Sequence, residues 1–494
     1  MSKLIEVDQQ LAHITNDRYR LRYHLMPPGG WMNDPNGLIF YRGEFHAFYQ
    51  HYPYEPYQGP MHWGHAKSED LIHWEHLPIA LMPSESYDLG EQSGYGCWSG
   101  SAVDDDGVLS LLYTGHVDGR SPVEVQCLAR SVDGLTFEKY VNNPIIDAPP
   151  HEQCFGFRDP KVWKHNDMYY MLVGYGNDGV GKTLMYKSIE LIHWEYVGVP
   201  AQSDGMMGDM WECPDMFQLG DVADDHVLIF SPMNIAPVKT MYWSGQFDYE
   251  NVVFNRSHVD RIDYGFDFYA PQTLIDDKGR RIMFGWMNIW GATMPEREDG
   301  WMGALTLPRE LKLADDGTLR CVPVDELTRL RGNHHQLKAE VLKADQLLNL
   351  STIQGDALEI IVVFDMKDAA VDVKFGIRVR SALDDSQYTE IAYDTANSRL
   401  LMNRELAGTG DGGVSEAPLT MMDNGQVKLH IYVDRSSVEL FANDGVRTIT
   451  NRIYPDPANI SVKLFSNNAD VRLQSLDVWE LTDVTAIMAA KSGK

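Results

Sequence analysis

The sequence predicts an all-β chain, a five-bladed β-propeller followed by a C-terminal β-sandwich, on three observations. An internal repeat of about sixty residues runs through the N-terminal part, five short hairpins recur in step with it, and the C-terminal part alternates apolar and polar side chains with period two. The repeat is most visible in Ser68-Glu-Asp-Leu-Ile-His-Trp-Glu75, which returns 120 residues later as Ser188-Ile-Glu-Leu-Ile-His-Trp-Glu195. Between them, Ser131-Val-Asp-Gly-Leu-Thr-Phe-Glu138 keeps the Ser, acid, Leu, aromatic, Glu skeleton.

Each hairpin is a β-rich run, a polar turn and a second run. The five are Leu38–Tyr41 with Phe45–Tyr49, Ser101–Val103 with Val108–Tyr113, Lys161–Trp163 with Met168–Val173, Met216–Leu219 with Val227–Phe230, and Thr273–Ile275 with Arg281–Trp286. The residues that precede them, Asp34, Ser99, Asp159, Cys213 and Ala270, follow one another at intervals of 65, 60, 54 and 57. Repeats of this length suit blades of about four strands around an axis. A helical solenoid is disfavoured because helical periodicity is scarce before residue 320, and a long sandwich would not recur so regularly.

The propeller is expected over residues 20–322. Val324 to Leu350 is rich in helix formers, so 323–352 reads as a linker with a short helix. A sandwich is expected over 353–483, where Val371, Val373, Phe375, Ile377 and Val379 alternate, as do Val427, Leu429, Ile431 and Val433. Residues 484–494 read as a tail.

Composition narrows the function classes. The 494 residues carry 42 Lys+Arg against 71 Asp+Glu, a formal charge of −29, which disfavours nucleic acid and anionic membrane as partners. Apolar content of 44% with 23% charged residues suits a globular chain rather than a disordered one. The first twenty residues hold no apolar stretch of export-signal length, and there is no run of 18 apolar residues. Five cysteines without a CxxC pair read as free thiols, so the expected location is cytoplasmic.

Inner strands of a propeller all begin at one end of the channel, so residues at equivalent repeat positions converge. Asp34 in Trp31-Met-Asn-Asp-Pro-Asn-Gly37, Asp159 in Arg158-Asp-Pro160 and Glu212 in Trp211-Glu-Cys-Pro214 occupy nearly equivalent positions, each with a Pro within two residues. Any one of these acids could be ordinary turn chemistry. Three in phase, flanked by Trp31, Asn33, Arg158 and Trp211, point instead to a shared pocket. Asp104–Asp106, Asp276-Asp277 and Asp315-Asp316 read as solvated turns. His62 with His65, and His73 with His76, have the spacing of some metal pairs, yet in a strand those positions face opposite ways, so no metal site is expected. Cys213 reads as a small pocket-wall residue tuning Glu212, and Met206, Met207 and Met210 as packing or loop rim.

Clustered carboxylates among aromatic rings suit sugar chemistry. Glycoside hydrolysis needs one protonated carboxyl and one ionised partner, and crowding like charges separates their pKa values. Residue type alone does not say which acid does which.

The same residues carry a family resemblance. Trp31–Gly37, Phe45-His-Ala-Phe-Tyr-Gln50, Trp98-Ser-Gly-Ser101, Phe157-Arg-Asp-Pro160, Trp211-Glu-Cys-Pro214 and Asp267-Phe-Tyr-Ala-Pro-Gln272 together resemble the motif set of glycoside hydrolase family 32, and Val433–Gly445 resembles its sandwich motif. The match runs from roughly residue 20 to 482. It implies a retaining β-fructofuranosidase acting on sucrose or its 6-phosphate, with Asp34 as nucleophile, Glu212 as acid and then base, and Asp159 as stabiliser of the oxocarbenium-like transition state beside Arg158. Trp31, Asn33, Gln50, Trp63, Trp98, Ser99, Asp267 and Trp286 are implied to contact fructose or shape its pocket. No metal or organic cofactor is implied. One departure lies at the pocket rim, where Tyr57-Gln58 precede Gly59 although many members carry a Trp before that Gly. The same chemistry admits a fructosyltransferase or a short fructo-oligosaccharide hydrolase, and a different class would be a sugar-binding propeller without catalysis. The sandwich is expected either to pack on the propeller or to pair with another subunit in a homodimer.

Overall fold

The computed structural model describes residues 6–485 except 93, 152–153, 221, 223–224, 238 and 367–371. Val371 and most of the expected tail lie outside the described residues. Five antiparallel sheets follow one another along the chain, each built from four strands laid down in sequence order from the channel outward. The inner strands are Gly30–Tyr41, Tyr95–Asp105, Gly156–His165, Trp211–Gln218 and Tyr269–Ile275. The five expected hairpins are the inner and second strands of the five blades. The ring closes where Trp301–Met302, arriving after the fifth blade has begun, pairs in parallel with Gly30 and Trp31 of the first.

The sixty-residue repeat marks the turn from third to fourth strand. In the first blade Asp70 Oδ1 accepts from the Ile72 and His73 N–H groups, and in the second Asp133 Oδ1 accepts from those of Leu135 and Thr136. The third blade keeps the Ser contact, Glu190 N–H to Ser188 Oγ. Leu71 and Leu191 both take a left-handed backbone at the bend, with φ of 67° and 66°. These short side-chain-to-backbone bonds explain why Ser and an acid recur there.

The C-terminal part is a sandwich of two six-stranded sheets with one apolar core, in which Ile360, Val362, Phe375, Ile377, Leu429 and Ile431 are fully buried. Of the linker with a short helix expected at 323–352, a 3-10 helix forms at Asp325–Leu330, but the rest is two strands, Arg331–Leu342 and Gln346–Gln354, rather than a linker. Each is the edge strand of one sandwich sheet. Its long solvent-facing stretches tolerate Lys, Ala and Glu, and pairing with Val471–Leu481 overrides their helix propensity.

The sandwich packs on the propeller. On the strand Gln426–Asp434 the even face is not wholly wet, since Tyr432 joins Phe441, Tyr23, Leu25, Leu305 and Leu307 in a cluster shared by both parts. Buried charges cross the same boundary. Arg309 donates to Asp263 Oδ2 at 2.8 Å and to Glu439 Oε2 at 2.6 Å, and His24 donates to Asp434 Oδ2 at 2.8 Å and Glu439 Oε1 at 3.0 Å. With each charge paired, the interface meets the condition under which buried ions are tolerated.

Candidate active site

One local device positions the site. In all five blades the pairing between inner and second strand slips register at the same place, around Asn33-Asp34, Ser99, Asp159-Pro160, Cys213-Pro214 and Ala270-Pro271. These β-bulges fall on the residues that the repeat spacing singles out. A bulge bends the strand and re-aims a side chain, and it is where Pro, lacking an N–H for the ladder, is accommodated. Asp159, Cys213 and Ala270 sit at φ of 64°, 46° and 48°, a left-handed backbone that costs a non-glycine residue about 1–3 kcal/mol. The turned side chains meet in a cavity of about 290 Å³ at this end of the channel.

Asn33, Asp34, Gln50, Trp98, Ser99, Arg158, Asp159 and Glu212 line it, as the sequence suggests. Asp34 Oδ2 accepts from Ser99 Oγ at 2.7 Å and Oδ1 from Asn33 Nδ2 at 3.1 Å. Asp159 Oδ2 accepts from the Cys213 N–H at 2.9 Å. The Cys213 thiol lies 3.6 Å from Asp34 Oδ2 and 3.5 Å from Asp159 Oδ2. Cys213 therefore touches Asp34 and Asp159 rather than tuning Glu212 directly. Burial and these acids hold its thiol well above the usual range, so it is no thiolate nucleophile.

Glu212 is gripped from two sides. Arg158 reaches Oε1 with Nη2 at 2.9 Å and Nε at 3.2 Å, and the Tyr269 hydroxyl donates to Oε2 at 2.6 Å. Arg158 also donates to Glu124 Oε1 at 3.1 Å. Although burial pushes against it, that guanidinium holds Glu124 at about 2. Trp98 stacks on His116 with centroids 3.6 Å apart and planes 4° from parallel, which fixes the ring at the pocket wall.

Two of the acids are hard to ionise in this setting. Burial, reinforced by the charge of Glu212, pushes Asp34 up to about 6. Burial pushes Asp159 up to about 7, against the pull of Arg158 and with the help of Glu212 and Asp34.

Three predicted tryptophans stand behind the wall rather than in it. Trp31 donates to Asn33 Oδ1 at 2.7 Å, Trp63 donates to the Trp98 carbonyl at 3.1 Å, and Trp286 is fully buried beside Trp31. They shape the pocket by holding its lining. Asp267 belongs elsewhere. Its Oδ2 accepts from Arg404 Nη1 at 2.6 Å and from the Arg452 N–H at 2.7 Å, so it ties the propeller to the sandwich and does not line the cavity. The sequence placed it near the pocket because its motif begins there, but Asp267 precedes the inner strand Tyr269–Ile275 and its carboxylate turns to Arg404 and Arg452 instead.

Residues missed from the sequence are Gln58, Met61, Met233 and Trp290, which line the cavity, and Tyr269 and Glu124, which hold Glu212 and Arg158. Gln58 was within reach, since it stands at the motif departure. Trp290 stacks on Trp31 at 5.8 Å and supplies the ring at the rim.

The model for the glycosyl hydrolases family 32 N-terminal domain matches residues 24–323, and that for the family 32 C-terminal domain matches residues 326–480. The chain belongs to glycoside hydrolase family 32. Among its family 32 relatives, a sucrose-6-phosphate hydrolase of Escherichia coli is 39% identical, covering 93% of this chain and 94% of the relative. A raffinose invertase of Escherichia coli is 40% identical over the same shares. Among solved family 32 structures, a Bombyx mori β-fructofuranosidase in complex with sucrose superposes with a TM-score of 0.82 at 35% identity, covering 97% of each chain. A sucrose-6-phosphate hydrolase from Lactobacillus gasseri gives 0.85 at 28% identity, covering 97% of this chain and 96% of that one. This family 32 chain is a glycoside hydrolase with the propeller-and-sandwich architecture.

Proposed function

We propose that the chain is a retaining β-fructofuranosidase that hydrolyses sucrose, sucrose 6-phosphate or both. The observation that carries the reading is the meeting of Asp34, Asp159 and Glu212, from three blades, in one small ring-walled cavity. The names of the relatives support the substrate class.

In this reading Asp34 attacks C2 of the fructofuranosyl unit as the C2–O bond to the leaving sugar breaks. Glu212 gives its proton to the departing oxygen. Glu212 then takes a proton from water, whose oxygen attacks C2 and releases Asp34, so two displacements retain configuration. Asp159, kept beside Arg158, accepts fructose hydroxyls and offsets the positive charge that develops at C2. Asp34 must be ionised to attack, and its upward shift to about 6 puts the acid limb of kcat/KM near that pH. A phosphorylated disaccharide does not cross membranes unaided, so the proposed site of action is the cytoplasm, and a homodimer is the proposed assembly.

Rates of fructose release from sucrose, sucrose 6-phosphate and inulin test the proposal. It expects release from at least one of the two disaccharides and slower release from inulin. No fructose from either disaccharide would overturn it.

A further inference from the structure

At the end of the channel opposite the acids, the later halves of the five inner strands enclose a second and larger cavity of about 630 Å³. Two cations, Lys161 and Arg281, line it, with Asp215 behind them. Asp215, fully buried, accepts at Oδ2 from Lys161 Nζ at 2.9 Å, from the Thr273 N–H at 2.7 Å and from Thr273 Oγ1 at 2.9 Å. Arg281, from the second strand of the fifth blade, lies over the Phe217 ring at 4.6 Å and reaches Thr273 Oγ1 at 3.4 Å. Its Nε is buried without a hydrogen-bond partner, and no carboxylate among the described residues forms an ion pair with it.

Two cations therefore share one carboxylate. Two other arginines each take two acids, Arg309 with Asp263 and Glu439 and Arg158 with Glu124 and Glu212. In a chain of net charge −29, Asp215 bonds Lys161, yet no carboxylate among the described residues forms an ion pair with Arg281. A half-buried guanidinium whose Nε is buried without a partner is stabilised when an anion joins it. Burial lowers the pKa of Arg281, with Asp215 as its nearest counter-charge. The rim acid Asp104 is occupied by its own turn, where Oδ1 accepts from the Gly107 N–H at 2.7 Å.

The same cavity has a flat aromatic side. Trp163 donates to the Tyr249 hydroxyl at 3.1 Å, and His165 stacks on Tyr249 at 4.1 Å with planes 5° from parallel. Ring faces of this kind pack on the C–H surface of a sugar, and the volume falls in the range of small-molecule sites.

We propose that this cavity is a second binding site, distinct from the acid pocket, for a sugar-sized phosphate monoester. Its phosphate sits between Arg281 and Lys161 and its ring lies against the Trp163 and Tyr249 side. Nothing in this assignment depends on the chemistry proposed for the first pocket.

Calorimetric titration of the full chain with inorganic phosphate, glucose 6-phosphate and glucose tests it, alongside Arg281→Met and Arg281→Lys. The wild type should bind glucose 6-phosphate more tightly than inorganic phosphate. Arg281→Met should weaken both by about tenfold or more, the loss of a charge-assisted contact, while Arg281→Lys keeps most of the affinity. Glucose binding should not change with residue 281. Without phosphate, Arg281→Met should melt no lower than wild type, because it removes a half-buried charge that has no ion pair, and should hydrolyse sucrose at the wild-type rate. Phosphate should raise the melting temperature of the wild type only. Unchanged phosphate affinity in Arg281→Met, or no binding by the wild type up to ~10 mM phosphate, would overturn the site. Equal affinity for phosphate and glucose 6-phosphate would overturn the sugar-binding half of the assignment.

Discussion

Replacing Asp34 with Asn separates what this residue does for chemistry from what it costs the fold. The amide is close to isosteric, and it can keep the Asn33 contact while the Ser99 hydroxyl turns to accept from it. The rise of Asp34 from 3.8 to about 6 corresponds to about 3 kcal/mol against the folded state once the group is ionised. The side chain is only partly enclosed, so solvent trims this to about 1–2 kcal/mol. The sign follows from linkage. A carboxyl whose folded pKa is raised binds its proton more tightly when folded, so the penalty is absent below about pH 4 and complete above about pH 6. Asp34→Asn should therefore be more stable than wild type at pH 8 by about 1–2 kcal/mol and equal to it at pH 4, while its turnover falls by roughly 10⁴-fold or more. Denaturant melts at the two pH values and a fructose-release assay read both effects. Wild-type turnover would refute Asp34 as nucleophile. An Asn variant less stable than wild type at pH 8 would refute the electrostatic argument even if activity were lost.

Three further outcomes are expected. Tyr269→Phe deletes the 2.6 Å bond to Glu212 and should lower kcat/KM by roughly tenfold to a hundredfold with little change in melting, the range for a hydrogen bond to a charged group. His24 bonds two buried carboxylates, and although burial opposes it, Asp434 and Glu439 raise its pKa above 6.5. The stability it adds is complete below about pH 6.5 and is lost as pH rises through the raised folded value, so the melting difference between wild type and His24→Gln should shrink from pH 6 to pH 9. Asp267→Ala leaves the Arg404 guanidinium without its acid and the buried Arg452 backbone N–H without an acceptor, and should cost about 3–5 kcal/mol in denaturant unfolding, with the KM for sucrose unchanged in whatever fraction folds.

Much of the fold was legible because a blade repeats its local rules. Strand, turn and strand must recur wherever a blade recurs, and the Ser-acid bend repeats because its hydrogen bonds are local. The phase of Asp34, Asp159 and Glu212 was readable for the same reason, since Asp34 and Asp159 lie in a bulge at a fixed place in the unit and Glu212 immediately precedes one. What failed was decided by partners distant in the chain. Residues 331–354 look helical alone and become strands only because the sandwich edges offer pairing. Glu124 and Trp290 act from another blade's third strand or from the loop after the fifth blade's second strand, and no spacing rule connects them to the acids, whereas Tyr269 precedes its bulge as Glu212 does. Asp267 shows the converse, a residue beside a pocket motif whose orientation serves the domain boundary.

The parallel contact of Trp301–Met302 with Gly30 and Trp31 has a consequence for biosynthesis. The first blade emerges from the ribosome long before the segment that latches it, so the circle stays open through most of translation. Catalytic competence therefore arises late and all at once, when the final clasp brings the earliest-made wall against the latest. A nascent chain stalled short of Met302 would hold every acid and still lack a substrate cleft.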